Sequence, residues 1–249
     1  MIPAHEKQTI NRMIHFLELL QDCGEKDVEI DRDTIRSLGP VLHTPRKPRK
    51  TAAARAVAEG LNEIAERVAA CTQCELCRTR TNTVPGQGNP QPELMFVGEG
   101  PGADEDEQGL AFVGRAGQLL TDIIHAMQFT RENVFIGNIV KCRPPGNRVP
   151  EADEMEKCLP YLKEQIALLK PKVIVCLGAT AVKGLFGPEP EGITKTRGTW
   201  RTYEGIDVML TFHPAYLLRN PPAKREVWED MKEVLRRLGR PIPVYGKKA

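Results

Sequence analysis

Four short apolar runs constrain this chain more than any other feature. They are Leu94–Val97, Val134–Val140, Val173–Leu177 and Val208–Phe212. Each has strand length, and helical stretches separate them near Ala116–Met127, Ala152–Leu169, Ala179–Phe186 and Arg225–Leu238. Runs apolar on both alternations have no solvent face, so they predict parallel strands covered on both sides. The expected fold is α/β: a three-layer α/β/α sandwich around a mostly parallel four-stranded sheet. Pro160 lies within one helical stretch and predicts a kink or break there. In such folds ligands bind beyond the carboxyl ends of the strands, so the residues just after each run carry the chemistry.

The rest of the chain divides by composition. Ile10, Met13, Ile14, Leu17 and Leu20 form a helical stripe closed by Gly24, predicting an N-terminal helical extension over 1–39. Residues 40–56 form a basic, proline-rich linker: no acid occurs between Asp33 and Glu59. It reads as a solvated tether or as a phosphate-contacting arm. The catalytic domain is expected over 57–240 and a tail over 241–249. No apolar run reaches the roughly 20 residues of a membrane span. Without a secretory h-region, the expected compartment is the cytoplasm. The net charge of only +2 excludes a uniform basic field and confines any nucleic-acid binding to local patches.

After the first run comes Gly98-Glu99-Gly100-Pro101-Gly102-Ala103, a formal G-x-G-x-x-A match. Acids at Asp104, Glu105, Asp106 and Glu107 follow, which predict an acidic loop rather than a phosphate-binding helix. The glycines leave backbone amides open to close approach, as a tight turn or as a pocket wall. Phe112 reads as core or as a stacking platform for a flat ligand. Asn138 lies among apolar neighbours and must be hydrogen-bonded, to backbone or to the edge of a base. His213 follows the last run. Leu217 and Leu218, beside Arg219, form an apolar tip suited to entering a base stack.

The chain has seven cysteines. Cys71-x2-Cys74 with the distant Cys142 and Cys158 can make a four-thiolate site. The C-x15-C spacing of the second pair suits an iron–sulfur cluster better than zinc, with both remaining open. Cys77 is a possible substitute ligand, and Cys23 and Cys176 read as bystanders.

Together these segments resemble the family 4, iron–sulfur uracil-DNA glycosylases. The matching stretches include Cys71-x2-Cys74, Val84-x-Gly86-x-Gly88-Asn89, Gly98–Gly102, Phe112-Val113-Gly114, Asn138–Pro145, Ile193–Gly198 and His213–Pro221. The resemblance covers roughly Cys71 to Leu238. It implies a [4Fe–4S] cluster on Cys71, Cys74, Cys142 and Cys158. It implies a uracil pocket from Gly98, Glu99, Gly100, Phe112, Asn138 and His213, with His213, Glu105 and Asn138 as the catalytic set. It further implies DNA contacts from Arg143, Leu217, Leu218 and Arg219, and a monomer acting on single- or double-stranded uracil-containing DNA. The N-terminal extension would bind DNA or another partner. Ala103 stands where close relatives often carry an acid. Cys142 runs directly into Arg143-Pro144-Pro145, without the basic insert of a uracil-trapping branch, which favours turnover. The rival expectations are a uracil-DNA binding protein without turnover and a redox-sensing iron–sulfur protein. A zinc deaminase lacks its His-x-Glu and Pro-Cys-x2-Cys signatures here.

Overall fold

The computed structural model describes residues 52–188 and 191–243. The expected N-terminal helix, the linker up to residue 51 and the tail beyond residue 243 lie outside the described residues. Eight α-helices occur among those described: α1 (Ala52–Ala69), α2 (Ala103–Gln108), α3 (Arg115–Ala126), α4 (Ala152–Leu169), α5 (Ala179–Phe186), α6 (Ile193–Thr196), α7 (Pro214–Arg219) and α8 (Lys224–Arg237). The strands are β1 (Gln87–Gly88), β2 (Leu94–Gly98), β3 (Phe135–Asn138), β4 (Val173–Leu177), β5 (Trp200–Tyr203) and β6 (Ile206–Thr211).

They form one six-stranded sheet in the order β1-β3-β2-β4-β6-β5. The four central strands are those expected, and all their pairings are parallel. The sheet is wider than the four strands predicted, because β1 and β5 add antiparallel edges.

Side-chain alternation explains the apolar runs. In β2, Met95 and Val97 join one core cluster while Leu94 and Phe96 join the other. In β4, Ile174 and Cys176 face the first, and Val173, Val175 and Leu177 face the second. Helices α1, α4 and α5 cover the first face, through residues such as Ile64, Leu162 and Val182. Helices α3, α7 and α8 cover the second, through Leu120, Leu217 and Met231. Each large side chain buried this way stabilises the fold by about 1.5–3 kcal/mol.

Of the kink or break expected at Pro160 the break does not occur, and one further local expectation is corrected. Helix α4 runs through Pro160 without a break. Pro160 is on the exposed side, while Cys158, Tyr161 and Leu162 anchor both flanks in the core. The acidic stretch after Gly102 is helix α2, not a loop. Asp104, Glu105 and Asp106 occupy its first turn, where negative charge complements the helix dipole. The Glu105 carboxylate accepts from the Gly102 amide (3.0 Å), and Gly109 closes the helix at φ 69°.

Candidate active site

A pocket of about 620 Å³ opens at the carboxyl ends of β2, β3 and β6. That is within the usual range for a small-molecule site. It gathers Glu99, Gly100, Glu105, Phe112, Asn138 and His213. A larger groove of about 810 Å³ lies between α1 and α4, but it includes none of the residues the sequence singled out.

Gly98 and Asn138 are register partners on β2 and β3. A Cβ on Gly98 would stand 2.5 Å from the Phe112 ring and 2.6 Å from Asn138 Oδ1. Only glycine fits there, and its absence of a side chain lets Phe112 and Asn138 come together behind the pocket lining. Asn138 is 1% exposed, and its Oδ1 has no hydrogen-bond partner. A buried acceptor left unpaired costs about 1–3 kcal/mol. Such an atom beside an aromatic ring is the mark of a ligand-reading group.

Phe112 is buried against Gly98 with φ at +53°, in the left-handed region. For an aromatic residue this costs on the order of 1–3 kcal/mol and persists only where surroundings enforce it. Its ring lies 5.7 Å from that of His213, tilted by 32°. Gly117 on α3 permits the approach behind it: a Cβ there would fall 2.0 Å from the Phe112 carbonyl.

His213 caps the N-terminus of α7, and its Nδ1 accepts from the Ala215 amide at 3.1 Å. That bond fixes the neutral tautomer with the proton on Nε2. Burial, helped by the Arg219 charge, holds the imidazole's pKa down at about 4. One edge of the residue keeps access to the pocket while the ring is otherwise enclosed by protein.

The acids are both tethered. Glu99 accepts from the Thr180 hydroxyl at the start of α5. Glu105 accepts from Gly102, Val113 and Gly114 amides at 3.0, 2.8 and 2.9 Å. Of the roughly four lone-pair sites of a carboxylate, this leaves one.

At the mouth, Leu218 is 38% exposed and Arg219 is exposed. Leu217 is 1% exposed and sits in the second core cluster. The expected apolar tip is therefore one leucine, because α7 turns Leu217 into the core and leaves Leu218 facing out. Arg143 donates to Asn147 Oδ1 at 2.7 Å, on the loop that also carries Arg148 and Val149 at the pocket's edge. Sequence reasoning did not select Thr180 and Arg131, which bond Glu99 and the Phe112 carbonyl from distant segments, or Arg80, which bonds Cys142.

The cysteines form a second pocket. Cys71, Cys74, Cys142 and Cys158 line it together with Cys77, and Arg80 and Tyr161 complete the wall. Arg80 donates to Cys142 Sγ and the Lys141 amide to Cys158 Sγ, both at 3.2 Å. Burial pushes the Cys158 thiol up to about 12 and raises Cys142 and Cys74. Among the described residues, no three His, Cys, Asp or Glu side chains gather around one point as a single metal ion requires. The donor set is nonetheless sulfur-rich, with N–H groups and a cation aimed at the sulfurs. Such a donor set suits a sulfur-ligated group. Cys176 is fully buried in β4, in the core away from this pocket.

Residues 85–232 match the model of the uracil DNA glycosylase superfamily. The chain is 47% identical over 184 residues to a type-4 uracil-DNA glycosylase of Sulfurisphaera tokodaii, covering 71% of this chain and 84% of that protein. It is 47% identical over 175 residues to that of Thermotoga maritima (68% and 90%) and 41% identical over 194 residues to that of Archaeoglobus fulgidus (74% and 96%). A type-5 enzyme of Pyrobaculum aerophilum matches at 34% over only 107 residues, 42% of this chain. With a parallel sheet whose strand ends carry the matching motifs, and relatives matched over most of their length, this chain belongs to the uracil-DNA glycosylase superfamily, among its type-4 members.

Proposed function

We infer that this protein excises uracil from DNA, hydrolysing the N-glycosidic bond to leave an abasic site for repair. The observation that carries the reading is the unpartnered Asn138 Oδ1 at the base of a pocket shared with Phe112 and His213.

To reach the bond, the deoxyuridine must leave the base stack and enter the pocket. Phe112 stacks on the uracil face. Asn138 Oδ1 accepts the N3–H of uracil, and its amide group donates to O4. Cytosine presents an acceptor at N3 and a donor at C4, so it meets like against like. Glu99, held by Thr180, crowds C5 and turns away the thymine methyl.

Cleavage develops positive charge on the sugar and negative charge on the departing base, by analogy with glycoside hydrolysis. His213, neutral with its proton on Nε2, donates to uracil O2 as that charge grows. Removing a comparable donor elsewhere costs about 10²–10³ in rate. Glu105 contributes a fixed negative charge opposite the sugar, and its remaining lone pair orients the attacking water. Leu218 fills the gap left in the stack, and Arg219 and Arg143 take phosphates.

Cys71, Cys74, Cys142 and Cys158 would hold a [4Fe–4S] cluster, which when bound supplies a sulfur-ligated cross-link between three chain segments. Arg80 and the Lys141 amide stabilise the sulfurs' negative charge.

The test is a uracil-containing oligonucleotide incubated with excess protein and then treated with alkali. Strand breaks at the uracil, absent with cytosine or thymine, are expected. An intact strand would overturn the reading. A visible absorption spectrum of the purified protein tests the cluster separately: a brown protein is expected, and a colourless metal-replete one excludes it.

A further inference from the structure

We propose that Arg131 is a positioning residue for uracil excision, holding the backbone of Phe112 in the left-handed conformation that places its ring in the pocket. The inference rests on the reading of Phe112 as the stacking platform.

Arg131 stands in the turn before β3, outside the pocket lining. Its guanidinium reaches across to the Phe112 loop. It donates to the Phe112 carbonyl at 3.0 Å, the Ala111 carbonyl at 2.5 Å and the Thr121 hydroxyl at 3.1 Å. Thr121 in turn donates to the Gly117 carbonyl at 3.0 Å, on the helix turn packed against Phe112. A guanidinium is suited to this task, since its rigid fork satisfies several acceptors at fixed angles.

The loop is gripped from its other side by Glu105, which accepts the next two amides, those of Val113 and Gly114. Carbonyls 111 and 112 thus meet a cation, and amides 113 and 114 meet an anion. Reversing the peptide at Phe112 would turn carbonyls toward Glu105 and amides toward Arg131. The opposed charges therefore select the left-handed conformation at Phe112, which its own side chain disfavours. Gly117 removes the Cβ that would block this arrangement.

The experiment is a double-mutant cycle on Arg131→Met and Phe112→Ala. Single-turnover uracil release, inhibition by free uracil and thermal unfolding are followed in all four proteins. Arg131→Met is expected to slow release roughly 10–100-fold, as small misplacements of positioning groups do. Free uracil should inhibit it correspondingly less well. In the Phe112→Ala background the same substitution should change the rate less than about twofold, because the ring it positions is gone. Equal losses in both backgrounds, or an undiminished rate in Arg131→Met, would overturn the role. Arg131→Lys covers the case where the methionine variant does not fold. It keeps the charge without the fork, and a partial loss that again depends on Phe112 is expected. Loss independent of Phe112 counts against the proposal there too. A wild-type protein that leaves the uracil strand intact would sink the excision reading itself, whereas an active wild type with additive losses sinks only Arg131.

Discussion

The pocket at the strand ends and the pocket of cysteines are built in opposite ways. The first is fixed largely by backbone: a bare glycine against Phe112 and Asn138, three amides on one carboxylate, and a histidine held by the amide of its own helix. The second brings side chains from three segments together, at 71–77, 142 and 158, and its wall is made of thiols with Arg80 and Tyr161. The difference teaches that the geometry of the strand-end pocket comes from the sheet and its turns. The cysteine pocket is built instead from side chains that converge from separate segments.

The largest expected effect separates the two. Cys158→Ser should remove visible absorbance and lower the unfolding temperature more than any substitution in the strand-end pocket. A variant that keeps its colour and its melting temperature would break the contrast. His213→Ala comes next, with a fall of about 10²–10³ in single-turnover rate and little change in thermal unfolding. A rate loss matched by an equal loss of DNA binding would reassign His213 to binding. Third, Leu217→Ala should destabilise the fold by about 2–5 kcal/mol in denaturant titration. Leu218→Ala should stay within about 0.5 kcal/mol while weakening affinity for uracil-containing duplex. Equal destabilisation would mean that α7 does not divide them between core and surface.

The smallest effect concerns pH. His213 titrates near 4 in the folded protein against an ordinary 6.5. Between those values the unfolded chain binds a proton that the folded chain does not, so stability contributed by His213 falls as pH falls through that window. Above it, the contribution is complete. The release rate should show no break attributable to His213 between pH 7 and pH 5. A break near 6.5 that disappears in His213→Ala would show the ring to be solvated.

The central sheet was legible because both its faces are covered, so β2, β4 and β6 declare themselves as unbroken apolar runs. The edge strands were not. β1 is two residues ending in glycine, and β5 reads Trp200-Arg201-Thr202-Tyr203 with mixed exposure, so neither carries a burial pattern. Helix α2 was hidden by its acids, which look like a loop until their position in a first turn and the capping by Glu105 are seen. Asn138 was visible as a polar residue inside an apolar run, and His213 from its place after a strand. The split between Leu217 and Leu218 was not, since it depends on the phase of a six-residue helix. Arg131 gave no signal, because its partners are carbonyls 19 and 20 residues away, and carbonyls have no sequence signature.

The stretch from Asn138 to Cys142 joins the two pockets with no slack. The Ile139 amide donates to the Gly98 carbonyl at 3.0 Å and the Val140 amide to the Glu99 carbonyl at 3.1 Å. The Lys141 carbonyl accepts from the Val84 amide at 2.8 Å. Surface loops usually absorb extra residues at little cost. Here one added or deleted residue must move either the base-reading amide or the thiol, since the amides of Ile139, Val140 and Lys141 are all already engaged. Length, rather than composition, is the property this segment cannot vary.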